Sequence, residues 1–122
     1  MTIRLTWGEL ELDETGAYNE GFIADLRKRL KEQEGQGRAV SVELHLDVQT
    51  APPWLQDRVK QFPQDGGLQS RYLEAAAHCR RRLKHCRAPQ WTVSSPWRGP
   101  EMEAFTRRLL DRLTAPGTGT GF

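Results

Sequence analysis

The stretch AVSVELHLDVQ, residues 39–49, constrains the fold more than any other part of this 122-residue chain. From Val40 onward, apolar and polar residues alternate without a break, and three of the apolar ones are valines, which are β-branched. A period of two is typical of a β-strand with one buried and one wetter face. The buried face is predicted to carry Val40, Val42, Leu44, Leu46 and Val48, and the wetter face Ser41, Glu43, His45, Asp47 and Gln49.

Two further segments have strand patterns. Residues 2–12 alternate with a change of phase at Gly8, which predicts a bulge or bend, and residues 90–95 form a short strand. Apolar residues at helical spacing predict helices over 20–33, 53–62 and 68–87 and from Gly99 onward. The order β-α-β-α-α-β-α predicts an α/β (α+β) fold, a small mixed sheet of three to four strands with helices packed mainly on one face.

Length and composition narrow the class of protein. A chain of 14.0 kDa with 28% charged residues is typical of one globular domain, which we expect over residues 1–114, with a flexible tail over 115–122. No apolar run approaches the ~20 residues of a membrane span, and no secretory signal pattern opens the chain. We therefore expect a cytoplasmic protein that does not bind membranes and whose two cysteines are thiols.

Both cysteines lie in AAAHCRRRLKHCRAPQW, residues 75–91, where His78-Cys79 recurs seven residues later as His85-Cys86. On a straight helix, positions seven apart are separated by about 10.5 Å. That separation is too long for one zinc ion to bind both pairs and too long for a disulfide. We predict that both thiols face the core and that both histidines lie on a flank. A metal shared across a dimer and redox chemistry are the alternatives.

Charge is distributed unevenly, although the net charge is only +2. Residues 68–88 contain six basic residues and one acidic residue, whereas residues 1–20 contain one basic and five acidic residues. On the predicted helix 68–87, Arg80, Lys84 and Arg87 align along one ridge, with Arg81 beside it. Such a ridge can bind an acidic protein surface or nucleic acid. It can equally be a solvated face that is partly paired with the acidic N-terminal segment.

The polar face of strand 39–49 brings together Glu43, His45 and Asp47. Alternate residues of a strand point the same way and lie about 6.5–7 Å apart. These side chains could therefore bind a metal or act as an acid–base pair, with Glu9 or Glu11 joining from an adjacent strand. Charged residues are also what the wet face of any amphipathic strand carries. The three residues support one alternative, a small metal-dependent hydrolase or nuclease.

Two tryptophans lie beside prolines, Trp54 after Pro52-Pro53 and Trp97 in SSPWRGP next to Arg98. Such aromatics are either lids over the core or exposed anchors for a partner. No phosphate-binding glycine signature, zinc-finger spacing or nucleophile elbow is present, so we expect no cofactor and no metal.

The function that these patterns favour is a non-enzymatic binding or regulatory module. Its predicted binding residues are Arg80, Arg81, Lys84, Arg87, Trp97 and Arg98, which would contact an acidic protein surface or nucleic acid through the basic helix 68–87. A third possibility is a homodimer formed through an uncovered sheet face. That possibility predicts exposed valine or leucine residues on strand 39–49.

Overall fold

A computed structural model describes residues 1–13, 15–83, 86–87 and 89–114. Its strands are β1 (Thr2–Thr6), β2 (Ser41–His45) and β3 (Gln90–Ser94), and its helices are α1 (Trp7–Leu10), α2 (Glu20–Gly35), α3 (Gln56–Val59), α4 (Gly66–Arg82) and α5 (Pro100–Thr114). Short 3₁₀ turns cover Pro53–Leu55 and Phe62–Gln64. The predicted tail 115–122 lies outside the described residues.

The three strands form a parallel sheet in the order β1-β2-β3. The α/β class, the succession of strands and helices and the packing of helices against the sheet are confirmed. The sheet is parallel rather than mixed, because each connection between strands runs through helices and returns the chain to the same end of the sheet. The segment with the strongest alternation, β2, is the central strand.

Register places apolar residues of all three strands on one face. Ile3 pairs with Val42 and Val42 with Trp91, and all three are buried. On the other face, polar side chains are exposed or half-exposed: Thr2, Arg4, Ser41, Glu43, Gln90 and Thr92. Leu44 and Leu46 are buried as well, so most of the apolar residues that the sheet-face dimer required to be exposed are not available for it.

The first strand is shorter than predicted, because the chain enters a helical turn at Trp7. Thr6 Oγ1 accepts a hydrogen bond from the Glu9 N–H (3.3 Å), and Glu9 Oε1 accepts one from the Thr6 N–H (3.2 Å). This reciprocal pair is a capping box, which fixes the start of a helix. The predicted strand over 7–12 is therefore wrong. The change of phase at Gly8 reflects helix α1 rather than a bulge.

Helix α4 also ends earlier than predicted. It begins at Gly66, capped by Asp65, and ends at Arg82 rather than at residue 87. Leu83 closes the last turn by donating its N–H toward the carbonyls of Cys79 and Arg80. Arg87 therefore lies beyond the helix, and the ridge predicted from helical spacing does not extend to it. Lys84 and His85 lie outside the described residues.

Aromatic rings form the centre of the core. Trp7 packs edge-on against Tyr72, with ring centroids 4.9 Å apart, and Phe62 packs edge-on against Phe105, also at 4.9 Å. All four rings are fully buried. Edge-to-face contacts at this distance add stability beyond the burial of apolar area. They join α1 to α4 and the turn before α4 to α5.

One carboxylate, that of Glu11, is buried in this region, with its side chain 1% exposed. Its Oε1 accepts a hydrogen bond from Trp7 Nε1 (2.7 Å), and its Oε2 lies 2.7 Å from Arg71 Nη2. The Arg71 guanidinium in turn lies over the Trp54 ring, 4.6 Å from its centroid. The interpretation of Trp54 as a lid is consistent with this contact. Both carboxylate oxygens are satisfied, as a buried charge requires.

We predict that Glu11→Ala lowers the free energy of unfolding by about 3–5 kcal/mol, since it removes the buried carboxylate to which both Trp7 Nε1 and Arg71 donate. The double variant Glu11→Ala/Arg71→Met should lose less, because an apolar side chain of similar length then replaces the guanidinium that paired with Glu11. Urea unfolding followed by Trp fluorescence measures both. The exposed Glu74→Ala is the matched control. A loss for Glu11→Ala no larger than the control's would contradict this account.

Candidate binding surface

Helix α2 and the chain from the second half of α4 onward run side by side. The Tyr18 ring stacks on His78 at 4.2 Å, Glu20 lies 3.3 Å from Arg82, and Cys86 Sγ lies 4.0 Å from the Arg27 carbonyl. Each successive contact lies further along both segments, so the two segments run in the same direction. Their basic residues are therefore brought to one surface.

We name this surface the basic seam. It consists of five cationic residues and two carboxylates: Arg27, Lys31, Arg38, Arg82, Arg87, Glu20 and Glu34. Arg27, Arg82 and Glu20 line one open groove of about 450 Å³. Arg38, Arg87 and Glu34 line a second cavity of about 200 Å³. Five cations against two carboxylates leave a surplus of three positive charges.

The Glu20 carboxylate is already occupied within the seam. His78 Nε2 lies 2.8 Å from Glu20 Oε2, and Arg82 Nε lies 3.3 Å from Oε1. Desolvation raises the pKa of Glu20, but its hydrogen bonds and electrostatic interactions with His78 and Arg82 outweigh this effect and leave the pKa below its ordinary value. The carboxylate therefore stays ionised and paired near neutral pH.

The Glu34 carboxylate is occupied as well. Its Oε2 accepts a hydrogen bond from the Arg87 N–H (3.1 Å) and lies 3.8 Å from Lys31 Nζ. With both carboxylates engaged, the side chains of Arg27, Arg38 and Arg87 form no ion pair with any residue that the structure describes. These three arginines are exposed.

The other predicted binding residues are not gathered on one surface. Arg80 Nε donates to the Leu113 carbonyl (3.0 Å), at the C-terminal end of α5. Trp97 lies before the N-terminal end of α5, and the 15 residues of this helix span about 22 Å. The Trp97-Arg98 pair therefore does not adjoin Arg80.

The structure shows what the remaining two residues contact. Trp97 is half-buried and stacks on Phe62 with centroids 5.6 Å apart. The Arg98 guanidinium donates to the carbonyls of Ser95 and Trp97 in its own loop. Arg81 is exposed near the end of α4. Trp97 thus contributes to core packing, while Arg81 and Arg98 stay predicted binding residues.

Sequence reasoning missed the contribution of α2 to the seam. Arg27 and Lys31 lie in the run RKRLK, residues 27–31, and Arg38 follows the helix. That run is a visible signal, but the sequence alone does not show that it lies beside the end of α4. Only the packing of α2 beside the end of α4 places the two basic groups together.

Both cysteines are buried free thiols, as predicted. Cys79 faces the core from α4, and burial raises its pKa to about 12. Cys86 lies after the helix, where its N–H donates to the Leu83 carbonyl (2.9 Å), and burial raises its pKa as well. The predicted burial of Cys86 is right, although the helical phase used to predict it does not apply there.

We predict that iodoacetamide modifies both thiols slowly in the folded protein, because only the thiolate reacts. Cys86 should react before Cys79, because it is the less buried of the two. Peptide mass spectrometry over time measures both rates. In guanidinium the two rates should become equal. Faster modification of Cys79 than of Cys86 in the folded protein would contradict the burial described.

The predicted polar constellation on β2 is only partly assembled. Glu43 Oε1 and His45 Nε2 are in contact. Asp47 is hydrogen-bonded to a different residue: its Oδ1 accepts from the N–H (2.8 Å) and from the Oγ1 hydroxyl (2.9 Å) of Thr50. Across the described ranges, no three His, Cys, Asp or Glu side chains are grouped so as to hold a metal ion.

The acidic residues proposed to join this constellation are committed elsewhere. Glu9 caps α1, and Glu11 is held in the core by Trp7 and Arg71. The Glu43–His45 pair is therefore a local contact on the polar face of the sheet.

We predict that Zn²⁺ raises the melting temperature of wild type and His45→Ala equally, because only one further ligand accompanies this histidine. Differential scanning fluorimetry over a metal titration tests this. His78→Ala, which removes another half-buried histidine beside a carboxylate, is the matched control. A shift that disappears only in His45→Ala would instead favour the metal-dependent enzyme.

Comparison with protein-family models, curated proteins and solved structures finds no match to this chain. Within the part of the chain that the structure describes, no helix is both long and apolar enough to cross a membrane. The case for a function therefore depends on the side chains and surfaces described above.

Proposed function

We propose that this protein is a non-enzymatic binding module that docks an acidic partner on the basic seam. The observation that carries the proposal is the group of three exposed arginines, Arg27, Arg38 and Arg87, which form no ion pair within the described residues. Arginine forks suit carboxylate and phosphate groups, and a surplus of positive charge speeds association with acidic surfaces.

The seam retains part of the binding surface proposed from the sequence. Arg87 remains in it, and Arg81 lies one residue from Arg82 at its edge. Arg80 is directed to the end of α5, and Trp97 and Arg98 lie at the opposite end of that helix. The proposed surface is therefore shared between α2 and α4 rather than carried by one helix face.

The groove between Arg27 and Arg82 favours an acidic protein segment over nucleic acid. Ile23 and Ala24 line it between the two arginines. Single-stranded nucleic acid is commonly held by aromatic side chains on which bases stack. Among the described residues, neither seam cavity has an aromatic lining residue. A partner with carboxylates and small apolar side chains on one face fits this chemistry.

The proposal includes a cytoplasmic location. Its support is the pair of free cysteines, because reducing compartments keep thiols unpaired.

The proposal is tested with a Glu-rich helical peptide that carries Leu on one face. The double charge reversal Arg27→Glu/Arg87→Glu should weaken binding at least tenfold, about 1.4 kcal/mol, and should flatten its salt dependence. Fluorescence anisotropy at several ionic strengths measures both effects. The matched control is Lys60→Glu/Arg112→Glu, two exposed residues that are not in the seam.

Two further probes identify the partner class. A Glu-only peptide of equal charge should bind more weakly than the Leu-bearing peptide, because it does not cover the exposed Ala24. A single-stranded oligonucleotide of equal charge should bind no better than either peptide. Tighter binding of the oligonucleotide would favour nucleic acid, and equal binding by the seam and control variants would refute the proposed surface.

A further inference from the structure

Strand β3 lies at one edge of the sheet and, among the residues that the structure describes, pairs with β2 alone. The Gln90 N–H donates to the Val40 carbonyl, and the Ser94 carbonyl accepts from the Leu46 N–H, both at 2.9 Å. In a parallel ladder, alternate residues direct both backbone groups to the same neighbour. Gln90, Thr92 and Ser94 therefore direct their backbone groups toward β2.

The intervening residues, Trp91 and Val93, direct their N–H and C=O groups away from the sheet. Within residues 1–13, 15–83, 86–87 and 89–114, none of these four backbone groups has a hydrogen-bond partner. An edge with unpaired backbone groups is a template for another strand.

The two edges of the sheet differ in how well they are protected against pairing with a further strand. The outer edge of β1 carries Arg4, and a charge on an edge strand discourages pairing. Strand β3, QWTVS, has no charged residue and no proline, and Trp, Val and Thr favour strands. The open edge of β3 is the one suited to accept a strand.

A groove of about 820 Å³ lies between β3 and α5. Its apolar lining includes Val93, Met102 and Leu110. Its charged lining residues are Glu43 and Arg98 together with Glu103 and Arg107 of α5. The two charged residues of α5 are four apart on a helix, so they lie on the same side, one turn from each other. The wall that α5 forms therefore carries a negative side chain followed, one turn later, by a positive one.

We propose that the occupant of this edge is a second copy of the chain, with the two β3 strands antiparallel about a twofold axis near Thr92. The two sheets then form one continuous sheet of six strands. We place the axis so that Glu103 of one copy faces Arg107 of its partner and the reverse, which makes the α5 wall of the groove complementary to itself. Self-complementarity of this kind is what an isologous interface requires.

The charge pair provides the first test, by sedimentation equilibrium of the full chain. Wild type should approach twice the 14.0 kDa chain mass as concentration rises. Glu103→Arg should weaken self-association at least tenfold, since like charges then meet across the axis. The swap Glu103→Arg/Arg107→Glu should restore association, because opposite charges face each other again. A monomeric wild type, or a swap that stays as weak as Glu103→Arg, overturns the proposal.

The strand edge provides the second test. Val93→Pro removes an outward N–H without removing a bond to β2, and should abolish self-association. Arg4→Pro is the matched control, because the Ser41 N–H donates to the Met1 carbonyl and the same alternation directs the Arg4 N–H outward from β1. Circular dichroism melting confirms that each variant folds. If wild type is monomeric but binds unrelated extended peptides, and Val93→Pro loses that binding, then the partner of this edge is another chain and the proposal of a second copy is wrong.

Discussion

The carboxylate of Glu11 is the contact on which the arrangement of the helices depends. It accepts a hydrogen bond from Trp7 in the aromatic core and is paired with Arg71 of α4, 60 residues away in the chain. Arg71 also donates to the Asp13 carbonyl (3.3 Å), which fixes the loop after α1 against the same helix. The chain leaving β1 is thereby attached to α4, and α4 carries the core-facing residues against which α5 packs.

This contact also changes how the charge distribution is understood. Summed along the sequence, the chain has an acidic first segment and a basic helix, which suggests two opposite surfaces. In the fold these segments meet: Glu11 pairs with Arg71, and Glu20 pairs with Arg82. Some of the acidic and basic residues therefore neutralise each other within the molecule. The cationic surface that remains is shared between the end of α4, where Arg82 lies, and α2, which contributes Arg27 and Lys31.

The sequence predicted those elements whose pattern is set by burial on one face. The alternation of Val42 and Leu44 identified the central strand, and the spacing along α4 placed Cys79 in the core. The misses have local causes. Helix α1 is four residues long and is fixed by the reciprocal bonds of Thr6 and Glu9, which a periodicity of two cannot detect. The end of α4 was missed because no glycine or proline follows it before Pro89.

The two proposed surfaces meet at the first residue of β3. Gln90 lines the same cavity as Arg38 and Arg87, and it is also the start of the edge strand. Antiparallel pairing of two β3 strands would bring Gln90 of each copy beside Ser94 of the other and would hold one wall of each cavity in place. A twofold pair would also present two basic seams on one particle. An acidic partner long enough to reach both would then bind with the gain in avidity that a second linked contact provides, without any new interaction within either seam.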